Sequence, residues 1–111
     1  LTMNKQKLEE MATSAFENIQ SARNELFLIA EQTINCGQTL EDDKNSATVA
    51  GKFDGKNAEI REAQAREFLS AQYSNHAEAQ RNERQARYKF DRAQIDVDTV
   101  KTLLRIAELA E

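Results

Sequence analysis

The chain has no proline, and its three glycines, Gly37, Gly51 and Gly55, all fall in one stretch near the middle. Proline removes a backbone donor, and glycine inside a helix costs about 1 kcal/mol relative to alanine, so these residues are the usual punctuation of helices. A sandwich or barrel needs turn signals roughly every 8–12 residues, and this sequence has them only in that stretch. Long flanks on either side lack both breakers. The expected fold is all-α, two long helices around one break, in a chain of 111 residues that suffices for a single modest core.

Around the glycines lie Gln38, Thr39, Asp42, Asp43, Asn45, Ser46 and Asp54, a dense set of turn formers. Residues 37–56 are therefore expected to be the loop. Within it Val49 and Phe53 alternate with small or polar residues, which fits either a very short hairpin or an ordered loop pinned by Phe53. Before it, Leu8, Ala12, Ala15, Ile19, Ala22, Leu26 and Ile29 recur in alternating steps of four and three. That is a heptad seam of period 3.5. With Gly37 as its stop, helix one is expected over about 2–36.

After the loop, Asn57 is placed to cap a second helix over about 57–110, with Glu59 and Glu62 favouring the dipole of its first turns. Phe90, Ala93, Val97, Val100, Leu104 and Ala107 repeat the heptad. Extended backwards the frame meets Ala86, Glu83, Ala79, His76, Gln72, Leu69 and Ala65, polar in its middle. An 11-residue repeat through Ile60, Ala71, Asn82, Ala93 and Leu104 is an alternative that predicts a straighter pairing. Residues 94–100 combine β-branched and Asp residues of poor helix propensity. A break near 94–98, with a third helix folding back, is the alternative architecture.

At 1.5 Å per residue the expected helices span roughly 50 Å and roughly 80 Å. An antiparallel, coiled-coil-like hairpin would then leave about 30 Å of the second helix uncovered, by the same rise per residue. That overhang carries Leu103, Leu104, Ile106 and Leu109. Two hairpins packed about a two-fold axis into a four-helix bundle would bury it, with Val100, Leu103, Leu104 and Ala107 as the dimer contacts.

Fifteen basic and nineteen acidic residues give a net charge of −4, so no whole-protein field attracts nucleic acid. One segment departs from this balance. Arg81, Arg84, Arg87, Lys89 and Arg92 are opposed there only by Glu83 and Asp91, and Tyr88 lies among them. Such a ladder neutralises phosphates and offers a ring for stacking on a base. The competing reading pairs these arginines with Glu9, Glu10, Glu17 and Glu78 as an ordinary solvated helix surface.

No catalytic constellation is legible, and no enzyme, cofactor or metal is expected. His76 lacks ligand-type neighbours at helical spacing, being flanked by Gln72, Tyr73 and Gln80. Cys36 is the only cysteine and has no adjacent base; it reads as a small packed residue and fits a reducing compartment. Glu41-Asp42-Asp43 lacks the alternating ligands of a calcium loop. Gly51-Lys52-Phe53-Asp54-Gly55-Lys56 lacks the Gly-Lys-Ser/Thr of a phosphate loop. The longest apolar run, Leu26 to Ala30, is far short of a membrane span. With no apolar leader at the N-terminus, the expected location is the cytoplasm.

The run Gly51-Lys52-Phe53-Asp54-Gly55-Lys56-Asn57-Ala58-Glu59-Ile60-Arg61-Glu62-Ala63 resembles a segment of small helical phage and prophage proteins, in which Gly-Lys-Asn-Ala-Glu-x-Arg leads into a long helix. Leu103-Leu104-Arg105-Ile106-Ala107 resembles their ending, so the likeness covers about the last 60 residues. Those proteins are largely of unknown function, and the resemblance implies a genomic setting more than an activity. It suggests that Asn57 caps the helix while Arg61 reaches back to Asp54 or Asp43. The competing view makes this corner a docking surface presenting Lys52, Lys56 and Arg61.

The expected function is that of a non-enzymatic helical interaction protein. Its partners would be a second copy of itself and a further protein, with no membrane. The alternative is a nucleic-acid accessory protein of replication or recombination that uses the 81–92 segment.

Overall fold

The computed structural model describes residues 4–110. It contains three helices, α1 (Lys5–Val49), α2 (Ala58–Phe68) and α3 (Ser70–Ala110), and no strand among the described residues. α1 packs against α3, so the fold is the expected all-α hairpin. Its boundaries differ from those expected. The first two residues assigned to helix one, 2 and 3, lie outside the described residues.

Helix one does not stop at Gly37. It runs through that glycine to Val49, and the loop shrinks from 37–56 to 50–57. The reason is the seam itself. Beyond Ile29 the same steps of four and three continue through Thr33, Cys36, Leu40, Asp43 and Ala47, every one half-buried or buried. Packing along a continuous stripe outweighs one glycine penalty of about 1 kcal/mol. Gly37 is moreover a contact, because a β-carbon there would lie 3.2 Å from His76 Nε2. The true stop is Gly51, with φ at 77°. Gly51 N donates to Thr48 O at 3.1 Å and Lys52 N to Ala47 O at 3.0 Å. This pair of bonds closes a Schellman motif, whose left-handed residue is normally glycine. At the other end Asn4 Oδ1 accepts from Lys7 N at 2.8 Å and caps the first turn.

The loop is ordered by its own side chains. Phe53 meets Phe68 edge-on, with ring centroids 6.1 Å apart. Gln64 clamps the loop twice, accepting from Gly55 N and donating to Asp54 Oδ1, both at 3.0 Å. Gly55 is required by crowding, since a β-carbon there would sit 2.5 Å from Ile60 Cγ2. Asn57, in extended conformation, caps α2 by accepting from Ile60 N at 2.9 Å.

Helix two is interrupted, but not at 94–98. The interruption is one residue wide at Leu69, with φ −107° and ψ 30°. The bonds Leu69 N to Ala65 O and Tyr73 N to Leu69 O carry the chain across it, and Leu69 is 3% exposed. Residues 94–100 stay helical because Val97 and Val100 are buried. Each buried valine contributes roughly 1.5–3 kcal/mol, against a few tenths lost in propensity. Asp98 and Thr99 are held on the helix surface, Asp98 accepting from Gln94 and Thr99 donating to Ile95 O.

The chain packs as two units, residues 4–28 with 84–110 and residues 29–83. In the first, Ala12, Ala15, Val97 and Val100 form a core on which Met11, Ile19 and Leu104 pack. Of the expected overhang, Leu103 and Leu104 are therefore half-buried, while Ile106 and Leu109 stay exposed. Val100 and Leu104, assigned above to a dimer, are spent on this inner core, because α1 is long enough to meet them. In the second unit the frame passes through Ala65, Leu69, Gln72, His76, Ala79 and Glu83, all buried or half-buried. The 11-residue alternative fails, since Ile60, Ala71 and Asn82 are exposed.

Candidate functional site

The second unit holds an open cleft of about 490 Å³, lined chiefly by Gly37, Glu41, Lys44, Glu62, Tyr73 and His76. Its centre is the Glu62 carboxylate. Lys44 Nζ lies 2.8 Å from Oε2. Tyr73 Oη donates to Oε1 at 3.2 Å, and Arg66 Nε lies 3.5 Å from the same oxygen. The Arg66 guanidinium in turn lies 4.8 Å from the Tyr73 ring centroid, within cation–π range.

The hydrogen bond from Lys44, then that from Tyr73, hold the Glu62 carboxyl below its ordinary value. The bond to Glu62 raises the Lys44 ammonium above its own. Both shifts favour the charged pair, which is the opposite of what general acid–base work near neutrality requires. With both carboxylate oxygens bonded, the cluster acts as a strut between α1 and α2 (the segments 29–49 and 58–68). Two further polar ties cross the same unit. Thr33 Oγ1 shares its proton between Ile29 O and Ala79 O, and Gln72 Nε2 donates to Asp43 Oδ2 at 3.0 Å.

The basic segment lies along α3, and Arg81, Arg84, Arg87, Lys89 and Arg92 are all exposed. Lys89 Nζ sits 3.4 Å from Glu25 Oε1, not at the acids expected to cover this segment. Arg81, Arg84 and Arg92 make no ion pair among the described residues, which corrects the expectation that Glu9, Glu10, Glu17 and Glu78 neutralise them. Tyr88, within the segment, is 66% exposed.

Of the remaining candidates, Leu103 and Ala107 are half-buried, while Val100 is 5% exposed. Asn57 is a cap, as described. Arg61 does not reach Asp54 or Asp43; its Nη1 donates to Gly55 O at 3.0 Å, binding the loop through backbone. Cys36 is not at a helix end but well inside α1, at a half-buried seam position. No group of three or more metal-ligating residues occurs among the described residues. No described helix is long and apolar enough to cross a membrane.

Sequence reasoning missed the Lys44–Glu62–Tyr73 cluster entirely. The available signal was the seam continuing past Ile29, which brings Lys44, beside Asp43, onto the helix that faces α2. Comparison with protein-family models, with curated proteins and with solved structures finds no match to this chain.

Proposed function

We propose that this is a non-enzymatic helical interaction protein, a hairpin whose inner seam holds its own helices and whose outer faces dock other helices. One observation carries the reading. The apolar seam is spent within the chain, yet large apolar side chains remain outside, among them Phe27 at 64%, Leu28 at 67%, Ile95 at 54% and Leu109 at 83% exposure. Single exposed apolar residues are ordinary, but Phe27 and Leu28 adjoin on α1, and Ile95, Ile106 and Leu109 share one face of α3 at helical spacing; apolar side chains gathered in this way mark association surfaces. The single cysteine suits a reducing cytoplasm. The Gly-Lys-Asn-Ala-Glu-x-Arg resemblance suits a small phage or prophage accessory.

The test is a photoreactive side chain placed at Phe27 or at Ile95 in the native cell. Discrete protein adducts are expected at these positions and not at exposed Gln20. Adducts absent from both positions, with helicity intact, would remove the basis of this reading.

A second reading rests on Arg84 and Arg92, exposed and without ion pairs among the described residues. Unneutralised arginines on one helix are available to phosphates. On that reading oligonucleotides bind in the range of about 10⁻⁴–10⁻⁶ M at physiological salt, and Arg84→Ala/Arg92→Ala reduces the salt slope by roughly two. An unchanged slope in the double variant would exclude it.

A further inference from the structure

On the back of α3, Tyr88, Arg92, Ile95, Thr99, Thr102, Ile106 and Leu109 recur in steps of 4, 3, 4, 3, 4 and 3. This is a second heptad seam on the side of the helix away from Val97, Val100 and Leu104. All seven residues are exposed. Thr99 Oγ1 donates to Ile95 O at 2.9 Å and Thr102 Oγ1 to Asp98 O at 3.0 Å. The two hydroxyls are therefore satisfied by their own helix, and covering this face leaves neither of them without a partner. Four of the seven, Tyr88, Ile95, Ile106 and Leu109, are large apolar or aromatic side chains left in solvent on one face, and such a stripe is what a helix presents to a second helix.

We propose that this outer seam pairs antiparallel with the same seam of a second copy, about a two-fold axis. The occupant is fixed by charge as well as by shape. In an antiparallel pair each residue of one row faces a residue of the other row. One register sets Ile95 against Ile106 of the second copy, Thr99 against Thr102, and Arg92 against Leu109. The flanking positions then bring Asp98 of each copy opposite Arg105 of the other, two pairs by symmetry. Asp96 meets Leu103, so no like charges meet across this seam. Shifting the register by one heptad sets Asp98 against Asp98 and Asp96 against Asp96, which disfavours the slip. Arg105 is exposed and makes no ion pair among the described residues, so it is available. The paired segment, 92–109, is about 27 Å long at 1.5 Å per residue.

This dimer uses a face other than the Val100–Ala107 contacts expected from sequence. It rests on the interaction reading above and names one of its partners.

Sedimentation equilibrium of the full chain across micromolar concentrations tests it. The wild type is expected to rise from 12.6 kDa towards twice that mass. Asp98→Arg alone and Arg105→Asp alone each set like charges together, and each is expected to weaken association at least tenfold. Mixing the two variants restores opposite charges at both pairs and is expected to recover the dimer. Both positions are exposed, and circular dichroism of each variant checks that the hairpin persists. A wild type that stays at 12.6 kDa overturns the proposal, as does a dimer indifferent to both substitutions or a mixture no tighter than its parts. A monomer that still gives protein adducts from Phe27 would overturn this dimer and leave the interaction reading standing.

Discussion

The two packing units take the same heptad frame and fill it differently. In residues 4–28 with 84–110, the seam is Leu, Ala, Ile, Val and Phe, and the core is apolar throughout. In residues 29–83 the frame carries Thr33, Cys36, Asp43, Gln72, His76 and Glu83, and hydrogen bonds tie the helices together. The contrast separates two tasks. Apolar burial is non-directional and supplies stability. A polar seam adds little net stability, but each bond exists in only one register, so it fixes how the helices align.

The sharpest way to break this comparison is to exchange the two chemistries. Val97→Asp places an unpaired charge in the first unit's core, where Val97 is 4% exposed. A loss of about 3–5 kcal/mol is expected, a large share of a typical domain's stability. Gln72→Leu in the second unit removes the bond to Asp43, and Asp43 remains able to reach water. Its effect should stay within about 1 kcal/mol, since a typical hydrogen bond is worth that much net. Urea denaturation of both variants decides the matter; equal losses would show that the polar seam is as essential to stability as the apolar one.

Backbone crowding gives the next largest effect. Gly55→Ala forces the new β-carbon to within 2.5 Å of Ile60 Cγ2 and 2.9 Å of Ile60 Cβ. Neither atom can swing away without moving the first turn of α2, so a loss of about 1–3 kcal/mol is expected, as for overpacking elsewhere. Thermal unfolding of this variant with no loss of midpoint would show that the loop corner is soft.

What was legible in the sequence follows the same division. The period-3.5 frame of both helices could be read because it needs only apolar spacing, and it held even where Gln72, His76 and Glu83 occupy it. The Asn57 cap was legible because a cap is a local bond, spanning three residues. The end of helix one was not. Gly37 and the turn formers after it look like a stop when neighbours alone are considered. What overrides them is the seam continuing along α1 itself through Thr33, Cys36, Leu40, Asp43 and Ala47, with the His76 ring lying against Gly37 from across the hairpin. A loop over 37–56 hides the Lys44–Glu62 strut, since Lys44 falls inside that range. It also creates an overhang, and with it dimer contacts at Val100 and Leu104 that the chain uses for itself.

A double-mutant cycle sharpens the account of Gly37. In an ordinary helix interior Gly→Ala gains about 1 kcal/mol. Here the added carbon would meet His76 Nε2 at 3.2 Å and Cδ2 at 3.6 Å, so the ring must give by a few tenths of an ångström. Gly37→Ala alone is expected to be close to neutral. In a His76→Ala background the same change should recover most of that roughly 1 kcal/mol. Strict additivity would show that the close approach carries no energy and that Gly37 is merely tolerated.

The smallest effect concerns the strut, and its sign follows from the two pKa shifts. Glu62 is lowered in the folded state, first by the bond from Lys44 and then by that from Tyr73. Its contribution is therefore fully present above the ordinary carboxylate value of 4.5 and is lost as pH falls through the lower folded-state value. Lys44 is raised by the same bond, so its contribution is present below 10.5 and is lost as pH rises through the higher folded-state value. Between those limits the strut is constant. Because both side chains are partly exposed, the dependence should be slight and should weaken with salt. Hydrogen exchange resolves it by location. On acidification, protection at α2 amides is expected to fall before that at residues 93–100, and Glu62→Gln should abolish the difference. Simultaneous loss in both regions would mean that the second unit draws its stability from something other than its polar ties.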